Sequence, residues 1–158
     1  LPLTPLQIVL GKYLASFCFY ALVLCGSFPI VVMLSWLGEP DAGVILASYL
    51  GALFLGAFFL AFGQFVSSLT HDQIVAFALG ALLGFVFVFS GHDKVVEVVD
   101  GLAPNAQLGT WLYESISVMP HYEAFCRGVI GAGNVLYFAL LSSFFVWMTA
   151  LSLLRSKY

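Results

Sequence analysis

Charge is what this sequence has least of. Only 8% of its 158 residues are Asp, Glu, Lys or Arg, against about 25% in an ordinary soluble domain. Four stretches carry none at all: residues 13–38, 42–71, 73–92 and 128–154. Each is as long as the ~20 residues that take a helix across a bilayer, or longer. With 62% hydrophobic residues and a mean hydropathy of +1.06, the chain cannot keep its apolar surface off its exterior, so lipid supplies part of the contact. Four such runs do not fit inside one small soluble core.

Other absences narrow the choice further. The runs do not alternate polar and apolar residues as barrel strands do over ~10 residues. Helices that satisfy their own backbone groups are the remaining way to cross lipid. No basic cluster offers a nucleic-acid surface, and a net charge of -3 is too small to point to a partner. The three cysteines, Cys18, Cys25 and Cys126, lack the short paired spacing of zinc or dithiol sites. There is no phosphate-binding GxxxxGK[ST] loop and no GxSxG elbow. No charged residue lies inside a run, which argues against a proton relay or ion path through them. No catalytic, cofactor or metal-binding residue is therefore expected. The chain opens on Leu1 without a signal-peptide pattern and reads as part of a longer protein cut upstream.

The expected fold class is all-α: a polytopic membrane protein with four transmembrane helices at about 13–37, 43–67, 73–90 and 131–153. Thr4-Pro5-Leu6-Gln7 reads as a capping box with proline in the first turn. Pro29 should kink the first span. Glu39-Pro40-Asp41 makes the next turn. Thr70-His71-Asp72-Gln73 reads as a second capping box, with Asp72 placed favourably at a helix start. Small residues recur as Gly43, Ala47 and Gly51 in the second span and as Ala76, Gly80 and Gly84 in the third. Such stripes let helices approach closely, and static packing is favoured over a sliding or dimer seam.

Residues 94–120 are too charged to span and too apolar for a plain loop. Val95, Val98, Val99 and Leu102 share one helical face, with Glu97, Asp100 and Pro104 opposite. Leu108, Trp111, Leu112 and Met119 then face away from a stripe of Gln107, Thr110, Glu114 and Ser117. Two short amphipathic helices are expected here, interfacial or re-entrant, the second stopped by Pro120. Lys12, Arg155 and Lys157 fall on one side of the four spans, Lys94 and Arg127 on the other. The positive-inside rule then puts both termini in the cytoplasm, in a cell membrane, and 94–120 outside. His92-Asp93-Lys94 and His121-Tyr122-Glu123 lie in the outward part. They could bind metal or move protons, though a solvated role is favoured because no helical His–His or Glu–His spacing supports the chemistry.

Three motifs carry a resemblance. Leu6-Gln7-Ile8-Val9-Leu10-Gly11-Lys12 resembles the lead into the third membrane helix of ABC type-2 permeases, of the gliding-motility and nitrous-oxide-reductase-accessory type. The run from Phe65 to Gln73 resembles that group's SSLTxxQ cytoplasmic turn. The run from His121 to Ile130, followed by Tyr137-Phe138, resembles its HFExFxRG approach to the last helix. The family's usual permease has six membrane helices, and this chain matches the last four.

The resemblance implies a permease subunit of an exporter, paired with a second permease subunit in the bilayer. It would be driven by a separate cytoplasmic ATP-binding subunit, with no cofactor of its own. Leu3, Thr4, Pro5, Gln7, Ser68, Thr70, His71, Asp72 and Gln73 would face that subunit. Val95, Val99, Leu102, Leu108, Trp111, Leu112 and Met119 would belong to helices closing an outer gate. The rival readings are a membrane scaffold or assembly subunit and an intramembrane enzyme using His121 and Glu123.

Overall fold

The computed structural model describes residues 4–102, 109, 113 and 117–155, and the described residues contain helices and no strand. The helices whose bounds lie among the described residues are, in order, α1 Pro5–Cys25, α2 Phe28–Leu37, α3 Ala42–Leu69, α4 Gln73–Phe89, α5 Asp93–Leu102, α6 Met119–Cys126 and α7 Ala132–Arg155. Among the described residues, three spans are long and apolar enough to cross a membrane: α1 with α2, α3, and α7. A fourth is available only if α4 and α5, bent by 89° where they meet, count as one. Alone, the 17 residues of α4 extend ~25 Å at 1.5 Å per residue, short of the ~30 Å hydrocarbon layer.

The first span is two helices with a break at Gly26 and Ser27, not one kinked helix. A proline has no N–H to give and its ring collides with the carbonyl four residues back, so the helix stops before it. Gly26 N–H bonds Leu22 O at 3.0 Å and Ser27 Oγ donates to Leu24 O at 2.6 Å. Pro29 then sits in the first turn of α2, where no N–H is required. α2 buries no residue and holds its shape through its own backbone bonds, as a helix in lipid can.

Helix α3 is the hub. α1 and α4 pack antiparallel to it and α7 parallel. Side chains tie α1 to α3 along its length: Gln64 Nε2 donates to Val9 O at 3.2 Å, Tyr13 OH to Ala57 O at 3.1 Å, and Tyr20 OH to Ala52 O at 2.8 Å. Ser27 and Tyr49 hydroxyls meet at 2.7 Å. Between α3, α4, α6 and α7 lies a phenylalanine core. Phe58 meets Phe87 edge-on at 5.2 Å, and Phe62 meets Phe145 edge-on at 5.3 Å. Because lipid tails are as apolar as leucine, burial itself drives little association in a bilayer. Specific ring geometry, worth about 0.5–1.5 kcal/mol per pair, then matters more than area.

The small residues seat these partners. Ala47 and Gly51 are buried, and a Cβ on Gly51 would lie 2.6 Å from Phe125 Cβ in α6. Gly56 lies directly under the Tyr20 ring. In α4, Ala76, Gly80 and Gly84 are half-buried; Cβ atoms on Gly80 and Gly84 would touch Val66 and Phe59 of α3 at 3.9 and 3.6 Å. Gly43 is exposed in the first turn of α3, and only its own cap Asp41 occupies the space beside it.

Candidate functional site

One end of the bundle gathers the start of α1, the α3–α4 turn and the end of α7. Thr4 and Gln7 form a reciprocal capping box, with Thr4 N–H donating to Gln7 Oε1 at 3.1 Å and Gln7 N–H to Thr4 Oγ1 at 3.4 Å. Ser152 Oγ donates to Ser68 O at 3.2 Å, pinning α7 to the turn. Thr4, Gln7, His71, Asp72 and Gln73 are exposed, with Pro5, Ser68 and Thr70 half-covered. The second capping box does not form. Asp72 itself is the cap, its Oδ1 accepting Ile74 N–H at 2.8 Å. Thr70 ends α3 and donates to Asp72 O at 3.2 Å. A carboxylate at the helix start gains from the macrodipole, which a hydroxyl two residues earlier does not. Leu3 lies outside the described residues.

The opposite end is capped by α5, α6 and residues 117 and 118. Gly91 packs against Ser117 and Met119 with no room for a side chain, and Val118 N–H donates to Phe87 O at 3.4 Å. The 117–119 segment thus clasps the end of α4. Met119 begins α6, and Pro120 stands in its first turn. The proline thus helps to open a helix that the sequence pattern alone did not predict; the end of the helix expected before it lies outside the described residues. The available signal is proline in the first helical turn, followed by Tyr122, Phe125 and Cys126 at helical spacing.

Two polar residues expected on an outward stripe turn inward. Asp100 is half-buried, and Gly109 N–H donates to its Oδ1 at 2.6 Å. Ser117 is buried, its Oγ accepting Met119 N–H at 3.2 Å. In both cases a local backbone donor that needs a partner overrides amphipathic periodicity. On α5 the face turned towards the end of α4 carries Val95, Val96 and Val99, while Val98 points out. Leu108, Trp111 and Leu112 lie outside the described residues, as do Gln107, Thr110 and Glu114; Leu102 ends α5.

His121 is held rather than free. Its Nδ1 and Asn134 Oδ1 lie 2.8 Å apart, and its ring stacks on Tyr137 with centroids 3.9 Å apart. Tyr137 OH donates to Ser117 O at 3.3 Å, so this group joins α6, α7 and the clasp. Glu123 points elsewhere and pairs with Arg127 at 3.2 Å on the exposed face. The Tyr122 phenol is raised above its ordinary pKa by a hydrogen bond with Cys126 and then by burial. His92 is exposed at the entry to α5. No group of three or more His, Cys, Asp or Glu side chains that could hold a metal occurs among the described residues.

The two ends differ in charge. The first carries Lys12, Asp72 and Arg155 among the described residues. The second carries Glu39, Asp41, Asp93, Glu97, Asp100 and Glu123 against Lys94 and Arg127. Between them the apolar helices hold no ionised side chain. Comparison with protein-family models, curated proteins and solved structures returns no match.

Proposed function

We propose that the chain is the membrane-spanning permease subunit of an ABC-type exporter, with ATP hydrolysis on a separate cytoplasmic subunit. The observation that carries this reading is the meeting of two distant segments at one end of the bundle. The capped start of α1 and the α3–α4 turn stand together as an exposed polar rim, suited to receive a soluble partner. The acid-rich clasp of α5 and α6 closes the other end, which suits an extracellular gate. The basic residues at the rim end agree with a cytoplasmic placement of that end. A second permease subunit would complete the passage within the bilayer.

Purification of the full-length protein from native membranes in mild detergent tests this. The expected result is a stoichiometric ATP-binding subunit in the eluate, with ATPase activity that is lost when His71 and Asp72 are both replaced by alanine. An eluate with no ATP-binding subunit would exclude the reading. A complex that hydrolyses ATP but moves no candidate cargo in vesicles would favour an assembly subunit.

A further inference from the structure

The two halves of the first span are held very differently. Helix α1 is tied to α3 through Tyr13, Tyr20 and Gln64. Helix α2 buries no residue, and Val31 alone in it is half-buried. Its remaining residues are exposed, with Trp36 near the tip at 88%. Its one side-chain hydrogen bond among the described residues stays inside the helix, from Ser35 Oγ to Val31 O at 2.9 Å.

The joint between the halves lacks the bonds that would stiffen it. A continuous helix bonds each N–H to the carbonyl four residues back. Here Ser27 N–H turns to Leu24 O at 3.1 Å and Ile30 N–H to Ser27 O at 3.0 Å, each three residues back. Pro29 has no N–H to give. Ser27 itself is fixed. Its Oγ gives its proton to Leu24 O at 2.6 Å, so the Tyr49 phenol is the donor where the two hydroxyls meet at 2.7 Å. Tyr49 belongs to α3. The point where the chain breaks is thus anchored to the hub, and the helix beyond it is not. At the far end Gly38 is extended, and the link through residues 38–41 reaches at most ~17 Å between Leu37 and Ala42. That link tethers the tip without clamping it.

We propose that α2 is a hinged arm that swings about Gly26 and Ser27, with Tyr49 holding the pivot on α3 while α1 stays in place. Hinges commonly sit at element ends, where a few residues absorb the change in φ and ψ. A swing of ~20° carries the tip of this ~15 Å arm through ~5 Å. It disturbs no buried side chain, and the backbone bonds that would resist it are already redirected or absent. One side of the bundle, at the end where Gly128 meets Val44, can then move without the rest. The hinge does not depend on the permease reading.

Electron–electron distance measurement between nitroxide labels tests this in the full-length protein in nanodiscs. Cys18 and Cys25 are replaced by alanine and Cys126 by serine, and labelled protein is diluted with unlabelled protein. One pair joins the arm's tip to the α6–α7 turn, through Leu37→Cys and Val129→Cys. The reference pair, Leu22→Cys with Val129→Cys, reports on α1. All three sites are exposed. The tip pair should show a distance distribution about 5 Å broader than the reference pair, the arc of the tip. Pro29→Ala restores an N–H at the joint and should narrow the tip pair to the reference width. Tyr49→Phe, which frees the pivot, should broaden the tip pair and leave the reference pair as it was. Equal widths for the two pairs in the unsubstituted joint would overturn the proposal, as would a tip pair that Pro29→Ala leaves broad while the reference pair stays unchanged. A tip pair unaffected by Tyr49→Phe would overturn the anchoring role of Tyr49.

Discussion

Replacing Gly51 with alanine puts the phenylalanine core to a quantitative test. The new Cβ would stand 2.6 Å from Phe125 Cβ and 3.0 Å from its Cγ, where carbon atoms prefer ~3.5–4.0 Å. The nearest atom is the Cβ, which no rotation about χ1 can move. Helix α6 must therefore retreat from α3 by ~1 Å. That shift would disturb the packing of Phe125 on Phe54 and Phe138, whose ring centroids lie 5.9 and 6.4 Å away. Overpacking of this kind costs about 1–3 kcal/mol, against a gain of up to ~1 kcal/mol from removing a glycine inside a helix. Gly63→Ala is the matched control: it lies in the same helix with nothing within 4 Å of its would-be Cβ. The difference between the two variants cancels the propensity gain and isolates the clash. Reversible unfolding in mild detergent titrated with SDS should place Gly51→Ala about 1–3 kcal/mol below Gly63→Ala. Adding Phe125→Leu should leave most of that gap in place, because leucine keeps the Cβ and Cγ that the new methyl meets. Equal stabilities for the two glycine variants would refute the close seat of α6 on α3.

Other outcomes follow from the same geometry. Asp72→Ala should cost about 0.5–2 kcal/mol through loss of the α4 cap, and Thr70→Ala clearly less, in the same unfolding assay; equal losses would restore Thr70 as the cap. Gly128 has φ +79° and lies against Val44, so Gly128→Ala should cost about 1–2 kcal/mol and is checked by the same titration. With Cys18 and Cys25 replaced by alanine, the exposed Cys126 should react with an impermeant maleimide from outside intact cells. Labelling only after lysis would reverse the assigned orientation.

Helix content and the positions of α3 and α7 were legible because uncharged runs bounded by charged turns leave little freedom in where a helix starts and stops. The α1 start was legible for a local reason, since Thr4 and Gln7 lie three residues apart and satisfy each other. A kink was expected at Pro29 where the structure has a break at Gly26 and Ser27, because a proline acts on the turn preceding it. Asp72 against Thr70 was a competition between two good caps, decided by which one reaches a free N–H. Helix α6 was missed because its stabilising contact, Phe125 on Gly51, joins residues far apart in the chain. The inward turns of Asp100 and Ser117 were hidden for another reason: periodicity records which face is apolar but not which nearby backbone donor lacks a partner.

The bonds between α1 and α3 have a consequence for how these helices tolerate change. The donors are the side chains of Tyr13, Tyr20 and Gln64, while the acceptors are the backbone carbonyls of Ala57, Ala52 and Val9. A carbonyl is present whatever residue bears it. The acceptor positions are therefore free to vary as far as bonding goes and are limited only by the space the rings need, as at Gly56. The donor positions are not. Since the contacts recur at both ends and the middle of α1, sliding it along α3 by one helical turn would break them together, whereas swinging one end outward would break them singly. The pair is thus keyed against translation and left open to hinging.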